Sequence, residues 1–240
     1  MRFDSRMPIA RGQWCWSPNT AYAVGLIATD GNIGARRPIV SFTSSEAELI
    51  SLFARPLEFA PRPYRKPGGF GTWASQVAVW DRPLHSWLVS VGLMPRKTLS
   101  LAGIEVPQAY MAPLARGLLD GDGTILSYWR VPNRRQHPGH RNLRLTTRFY
   151  SASLVHLGWL AVRLHAAFGI RGSIGVDTRK ERKHPLYHLQ FAKRASRSLL
   201  SALYADESAP RLDRKYARWM WFLENEAAFP PRAVRNGKIV

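Results

Sequence analysis

The sequence predicts an α+β protein in which one αββαββα plan is used twice around a central pair of small-residue helices. Three observations carry this. Two short helical stretches share one layout, the apolar runs behind them come in the same order, and both copies close on an Arg-Lys pair. Two copies are too few to stack and cap a solenoid, so a pseudo-dimer is the expected geometry. The copies are expected to span residues 1–105 and 106–240.

The first helical stretch opens at Ser17-Pro18 and stops at Asp30-Gly31. Ser suits the N-cap, Pro the first helical turn and Gly the stop. The second, Ala112–Gly123, repeats that layout with an early Pro113, a central Gly117 and a terminal Asp122-Gly123. Behind the first lies the β-branched run Pro38–Thr43, and Ser44–Glu48 then opens a helix carrying Leu49, Ile50, Leu52 and Phe53. Behind the second, Leu143–Phe149 alternates apolar and polar residues, and Ser151–Ser153 opens a helix through Leu154, Leu157, Leu160, Leu164 and Phe168. Further strands are expected near 64–65 and 73–80 in the first copy, and near 173–176 and 187–191 in the second. Closing helices fall at about 84–91 and 196–204, each followed by a basic pair, Arg96-Lys97 and Arg214-Lys215. The second copy runs on through Tyr216, Trp219, Trp221, Phe222 and Leu223. Their spacing is that of a buried helical stripe rather than of base-stacking aromatics.

Composition narrows the partner. Nine Trp, ten Phe and 45% hydrophobic residues suffice for a core. Lys and Arg number 35 against 16 Asp and Glu, and the net charge of +19 calls for a polyanion, nucleic acid first. The basic residues are spread along the chain rather than gathered in one amphipathic helix or tail, which disfavours a membrane surface. The start, MRFDSRMPIARGQW, lacks the apolar core of a signal peptide, so the expected location is the cytoplasm, with the nucleoid, or an organellar matrix. The lone Cys15 excludes an internal disulfide and a multi-cysteine zinc site, and reads as a small, partly buried side chain.

Other local patterns carry less. Asp120-Gly121-Asp122-Gly123-Thr124 fails as an EF-hand, because Thr124 and Val131 stand where acidic ligands are required. His137 and His140 lack a third zinc ligand, and Pro67–Gly71 lacks the Lys-Ser/Thr of a phosphate loop and reads as a hairpin turn. A carboxylate-pair glycosidase would need aromatic subsites and no strong positive charge.

Glycine in mid-helix costs about 1 kcal/mol relative to Ala, so Gly25 and Gly117 at one place in both copies need a reason. Close helix approach supplies it. Ala21, Gly25 and Ala28 or Thr29 form one small-residue stripe, and Pro113, Gly117 and Gly121 form another. Helices paired along these stripes bring Asp30 and Asp122 together. Two adjacent carboxylates stay ionised near neutral pH only with a cation between them. Mg²⁺ suits oxygen ligands plus phosphate and water, and supports phosphodiester hydrolysis.

Ala23–Gly31, AVGLIATDG, and Ala115–Gly123, ARGLLDGDG, resemble the two copies of the motif that names the LAGLIDADG homing endonucleases. The similarity in element order and closing Arg-Lys pairs runs from about Ser17 to about Leu223. It implies a single-chain monomer with two antiparallel, saddle-shaped four-stranded sheets that lie in the major groove of a long DNA site and cut both strands. Carried over by position, the catalytic and metal-binding acids are Asp30 and Asp122, with Gly121 beside them in the metal set. Gln76, Gln190 and Lys193 are candidates for organising water. Asp120, where the first copy has Ala28, is not expected to bind metal itself, and is expected either to be structural or to support the metal ligands from behind. Mg²⁺ is the implied cofactor, with Mn²⁺ substituting and Ca²⁺ binding without cleavage. The expected DNA contacts are Arg36, Arg37, Arg141, Arg144, Arg148 and Lys180, arginine being the usual reader of guanine edges. Two other readings use the same scaffold, an intron RNA maturase and a non-catalytic DNA-binding regulator. Retention of both acids argues against a purely binding role.

Overall fold

A computed structural model describes residues 13–68, 71–131, 141–177 and 184–228, and the strand backbone at 234–235 and 238–239. The first motif helix, α1 (Pro18–Asp30), starts as its sequence demands. Ser17 Oγ accepts the Thr20 N–H, and Thr20 Oγ1 accepts the Ser17 N–H at 2.8 Å, a reciprocal cap built with Thr in place of the usual Glu. Cys15 lies just outside this cap with its carbonyl accepting from Thr20 Oγ1 and its side chain exposed, so the expected partial burial does not hold. The second motif helix, α4 (Met111–Asp122), has no such cap and enters instead through a single 3₁₀ turn at Gln108–Tyr110.

Each motif helix runs directly into a strand. The first sheet comprises β1 (Gly31–Ile33), β2 (Ile39–Ser44), β3 (Tyr64–Pro67) and β4 (Trp73–Trp80), antiparallel in the order β1-β2-β4-β3. The second comprises β5 (Thr124–Arg130), β6 (Asn142–Ser151), β7 (Ser173–Asp177) and β8 (Leu186–Phe191), in the matching order β5-β6-β8-β7. Helices α2 (Ala47–Ala54) and α3 (Arg82–Ser90) pack on the first sheet. The second sheet packs against α5 (Leu154–Phe168), α6 (Lys193–Leu203) and α7 (Asp213–Ala228). Beyond α7, β9 (Val234–Arg235) and β10 (Lys238–Ile239) form a small hairpin. The result is the α+β fold expected, with two four-stranded antiparallel sheets and the motif helices between them.

The core follows from the strand period of two. Val40, Phe42, Val77 and Val79 face α2 and α3, while Leu143, Leu145, Phe149, Leu189 and Phe191 face the second helical layer. The expected buried stripe in the last helix also holds, since Trp219 and Phe222 are buried and stacked at 5.8 Å. Among the described residues, the opposite face of each sheet carries no helix.

The motif helices touch along their small residues. A Cβ on Gly25 would fall 2.7 Å from Leu118 N and 2.8 Å from Gly117 Cα, as well as against Leu114 O. One on Gly117 would drive into Tyr22 O. Backbone therefore lies on backbone, and the helical glycines are forced by space. At the C-termini the reason differs. Gly31 and Gly123 both have ordinary extended φ angles, −84° and −82°, so no left-handed turn requires them. Added Cβ atoms there would meet Ile27 Cα at 2.6 Å and Leu119 Cα at 2.7 Å, because the chain folds sharply from helix into strand against its own last turn.

Gly117→Ala gains about 1 kcal/mol of helix propensity but pushes a methyl into a rigid carbonyl, an overpacking cost of about 1–3 kcal/mol or more. Gly158, inside α5, has no heavy atom within 4 Å of an added Cβ. Chemical denaturation is therefore expected to show Gly117→Ala destabilised and Gly158→Ala stabilised by up to about 1 kcal/mol. Equal responses at the two positions would refute the close-contact account.

Candidate metal centre

Pairing of α1 with α4 brings their C-terminal ends to one floor. Asp30 is half-buried there and the Asp122 side chain reaches solvent. Desolvation by the surrounding protein, and then the facing Asp122 carboxylate, push the Asp30 carboxyl up to about 7. Desolvation likewise raises Asp122, against the opposing pull of Lys215 and Lys97. Asp122 is thus near enough to disfavour charge on Asp30.

Two lysines answer them from the ends of the two copies. Lys97 Nζ donates to Gly31 O at 2.5 Å, just past Asp30. It is carried by a turn in which Arg96 takes the left-handed φ of 59°. Lys215 Nζ donates to the carbonyls of Leu119 (2.6 Å), Asp120 (2.8 Å) and Gly121 (3.3 Å), the last turn of α4. Both are buried, and desolvation holds each ammonium down to about 8 against the attraction of the aspartates. An ammonium at a helix C-terminus also meets the negative end of the helix dipole. These lysines belong to the closing basic pairs noted in the sequence. Only their repetition marked them, and nothing in that pattern assigned them to the acidic floor. Their partners in the pairs do other work, for Arg214 makes a two-pronged ion pair with Glu46 at 2.6 and 2.7 Å.

The second copy carries an extra carboxylate. Asp120 is fully buried, its Oδ2 accepts from Tyr22 Oη and from the Leu212 N–H, both at 2.9 Å, and Oδ1 has no partner. Burial raises its carboxyl to about 6. The bond to Leu212 ties the start of α7 to α4, which is how Lys215 is delivered. Asp120 thus ties helices together, the first of the two roles expected of it, and Ala28 fills its place in the first copy.

The other candidates spread outward. Gly121 sits against Thr29, where an added Cβ would collide with the Thr29 hydroxyl, and its carbonyl is shared with Lys215. Gln76 lies on β4 opposite Thr43 and Tyr64. Gln190 lies on β8, where its Oε1 accepts from Arg148 Nε at 2.6 Å. Registers show that the two glutamines are not counterparts. Gln190 matches Ala78, and Gln76 matches His188. Lys193 opens α6, ion-pairs with Glu226 at 3.2 Å and lies over the Phe222 ring, so it is engaged with α7 rather than with the acids. Arg144 and Arg148 project from the free face of β6, while Leu143 and Leu145 are buried beneath. Arg36 and Arg37 sit at the exposed bend between β1 and β2 rather than on a strand, and Arg141 just precedes β6. Lys180, His137 and His140 lie outside the described residues.

The donor set fits a hard divalent cation. Among the described residues no cluster of three or more His, Cys, Asp or Glu forms a closed cage. Two carboxylates and a backbone carbonyl are what Mg²⁺ uses when it keeps waters and substrate phosphate as its remaining ligands.

This arrangement, paired helices ending in acids beneath two free sheet faces, is the fold of the LAGLIDADG homing endonucleases. The I-LtrWI LAGLIDADG homing endonuclease bound to target DNA superimposes with a TM-score of 0.57 over 92% of this chain and 94% of its own, at 8% identity. The homing endonuclease I-WcaI bound to its DNA recognition sequence gives 0.55 over 85% and 88%, at 10% identity. I-DmoI in complex with DNA and Ca gives 0.52 over 85% and 97%, at 16% identity. No sequence-family model matches the chain, and no curated protein matches it. At such identities the likeness establishes the fold.

The pH behaviour follows from the acids. The Asp30 carboxyl titrates at about 7 in the fold against an ordinary 3.8, so between these values the folded chain binds more protons than the unfolded one. Stability from this group is complete at low pH and is lost as pH rises through 7. The melting temperature of metal-free protein should therefore fall between pH 5 and 7.5. Mg²⁺ should raise it more at pH 7.5 than at pH 5, and Asp30→Asn should remove part of the fall. A Mg²⁺ effect that is equal at both pH values would count against a carboxylate-held cation.

Proposed function

We propose that this chain is a monomeric endonuclease that cuts double-stranded DNA at a long site, using divalent metal held by Asp30 and Asp122. The observation that carries the reading is the meeting of two carboxylates and two buried lysines at the ends of paired helices, in a chain of net charge +19. Mg²⁺ there would supply a Lewis acid for the phosphoryl oxygen and favour ionisation of an attacking water, and Mn²⁺ would substitute. Asp30, Asp122 and the Gly121 carbonyl would hold it. Lys97 and Lys215 place positive charge where the phosphate gains negative charge, and their anchoring to the Gly31 and Leu119–Gly121 carbonyls keeps that charge in place before substrate arrives. Basic side chains around the sheets, Arg36, Arg37, Arg141, Arg144 and Arg148, hold the backbone and read the groove.

The biological setting consistent with this is homing of an intron or free-standing gene, acting wherever that DNA lies, in a nucleoid or an organellar matrix. The maturase and regulator readings remain separable by substrate. A maturase would bind structured RNA more tightly than duplex DNA, and a regulator would bind duplex without cutting it.

Asp30→Asn and Asp122→Asn should each abolish cleavage in Mg²⁺ while changing DNA affinity by less than about threefold, because phosphate contacts come from the basic sheets. Cleavage and gel-shift assays run in parallel check this, with circular dichroism as the control for folding. A variant that folds, binds and still cuts would remove the acids from the chemistry. Affinity should also fall about 10³- to 10⁵-fold from 50 to 200 mM salt if six to ten phosphates are engaged.

A further inference from the structure

The two free sheet faces occupy equivalent positions but differ in chemistry. Strand registers align them row by row. Asn32–Ser41–Ala78 in the first sheet corresponds to Thr124–Arg148–Gln190 in the second, both beginning two residues after a catalytic-floor Asp. Further out, Ile39 pairs with Trp80 in the first sheet, while Tyr128 pairs with Arg144 and Arg130 with Asn142 in the second. Among the described residues, the free face of the second sheet carries three arginines, Arg130, Arg144 and Arg148. That of the first carries none, and its single cation is Lys66, on the outer strand β3. Trp80, 46% exposed, and the exposed Ala78 instead present apolar surface beside the amides of Asn32 and Gln76.

We propose, on the basis of the DNA-cutting function above, that the two sheets read half-sites of opposite base composition. The second sheet selects guanines and the first selects A·T pairs. In the major groove, an arginine fork matches guanine O6 and N7, an Asn or Gln amide matches adenine N6 and N7, and apolar side chains meet the thymine methyl. Arg148 is already oriented for this, since its Nε is spent on Gln190 Oε1 at 2.6 Å and its two terminal nitrogens remain to face a base edge. Arg144 is exposed on the same face. In the first half, phosphate neutralisation falls to Arg36 and Arg37 at the exposed β1–β2 bend, which frees the sheet face to be neutral. One molecule thus holds both halves of its site by charge, but reads them with different groups.

The test is a gel-shift selection with the full chain, free of divalent metal so that nothing is cut, from duplexes randomised on both sides of a fixed centre. The expected outcome is recovered sites with guanine enriched on one side and A·T on the other. Arg144→Ala should lower discrimination at one or two guanine positions by about 5- to 100-fold without altering the A·T side. Gln76→Ala should relax the A·T side alone. Enriched sites of equal composition on both sides overturn the proposal while leaving DNA recognition standing. So does an Arg144→Ala variant weakened equally on every sequence, which would mark that arginine as a phosphate contact. Binding with no sequence enrichment, or no binding to duplex, would overturn both this inference and the reading on which it rests.

Discussion

Everything in this molecule is referred to one contact, the meeting of α1 and α4 at Gly25 and Gly117. Because backbone touches backbone there, neither helix can rotate or slide without colliding with the other's carbonyls. That fixes where both helices end. Each then passes through a glycine straight into the first strand of a sheet, so the acids and the two free faces are set by the same contact. A looser interface, with side chains between the helices, would spread the acids and turn the sheets relative to each other. The helix-weakening glycines are retained because they bring charge to a defined point.

Most of that plan is legible in the sequence because it is repeated. A single Gly-containing helix ending in Asp-Gly would say little, whereas two with matching strands behind them state an architecture. Strands at 73–80 and 187–191 and the helix caps at Ser17 and Ser153 fall where periodicity and capping chemistry put them. What escapes is whatever depends on distant contact. The strand Gly31–Ile33 is too short to show a period. Thr124–Arg130 alternates, but merges in sequence with the acidic turn. Lys97 and Lys215 look like surface charge, and only the folded chain shows them buried on helix-end carbonyls. Gln76 and Gln190 look like counterparts by residue type, and the strand registers assign them to different rows. Lys193 is a candidate by resemblance alone, yet it opens α6 and Glu226, far along the chain, claims it.

The copies are related but unequal, and the inequality has a structural origin. In the second copy Asp120 binds Tyr22 of the other motif helix and the backbone of Leu212. It therefore ties three segments together, α1, α4 and the entry to α7. A buried carboxylate is costly, and here hydrogen bonds and the neighbouring Lys215 and Arg116 offset the cost while leaving Oδ1 without a partner. The first copy has Ala28 at this place and ends in a turn rather than a long helix, so its lysine arrives by a strained backbone at Arg96. Two routes bring an ammonium to the end of each motif helix, Lys97 onto the Gly31 carbonyl just past α1 and Lys215 onto the carbonyls of the last turn of α4. The centre is thus symmetric in charge while its scaffolding is not.

That charge balance also explains how the fold tolerates the acids at all. Two carboxylates alone on a crowded floor would each favour protonation, and two ammoniums alone would each favour its loss. Brought together they moderate one another, with Asp30 at about 7 and the lysines near 8. The floor therefore holds its protons loosely close to neutral pH. A dication entering between the acids would displace protons from them, so cation binding and proton release are one event. The two lysines would keep their positive charge beside any phosphate that completed the cation's ligand shell. Four charges of both signs thus meet at one point, and the close glycine contact between the helices fixes where that point lies.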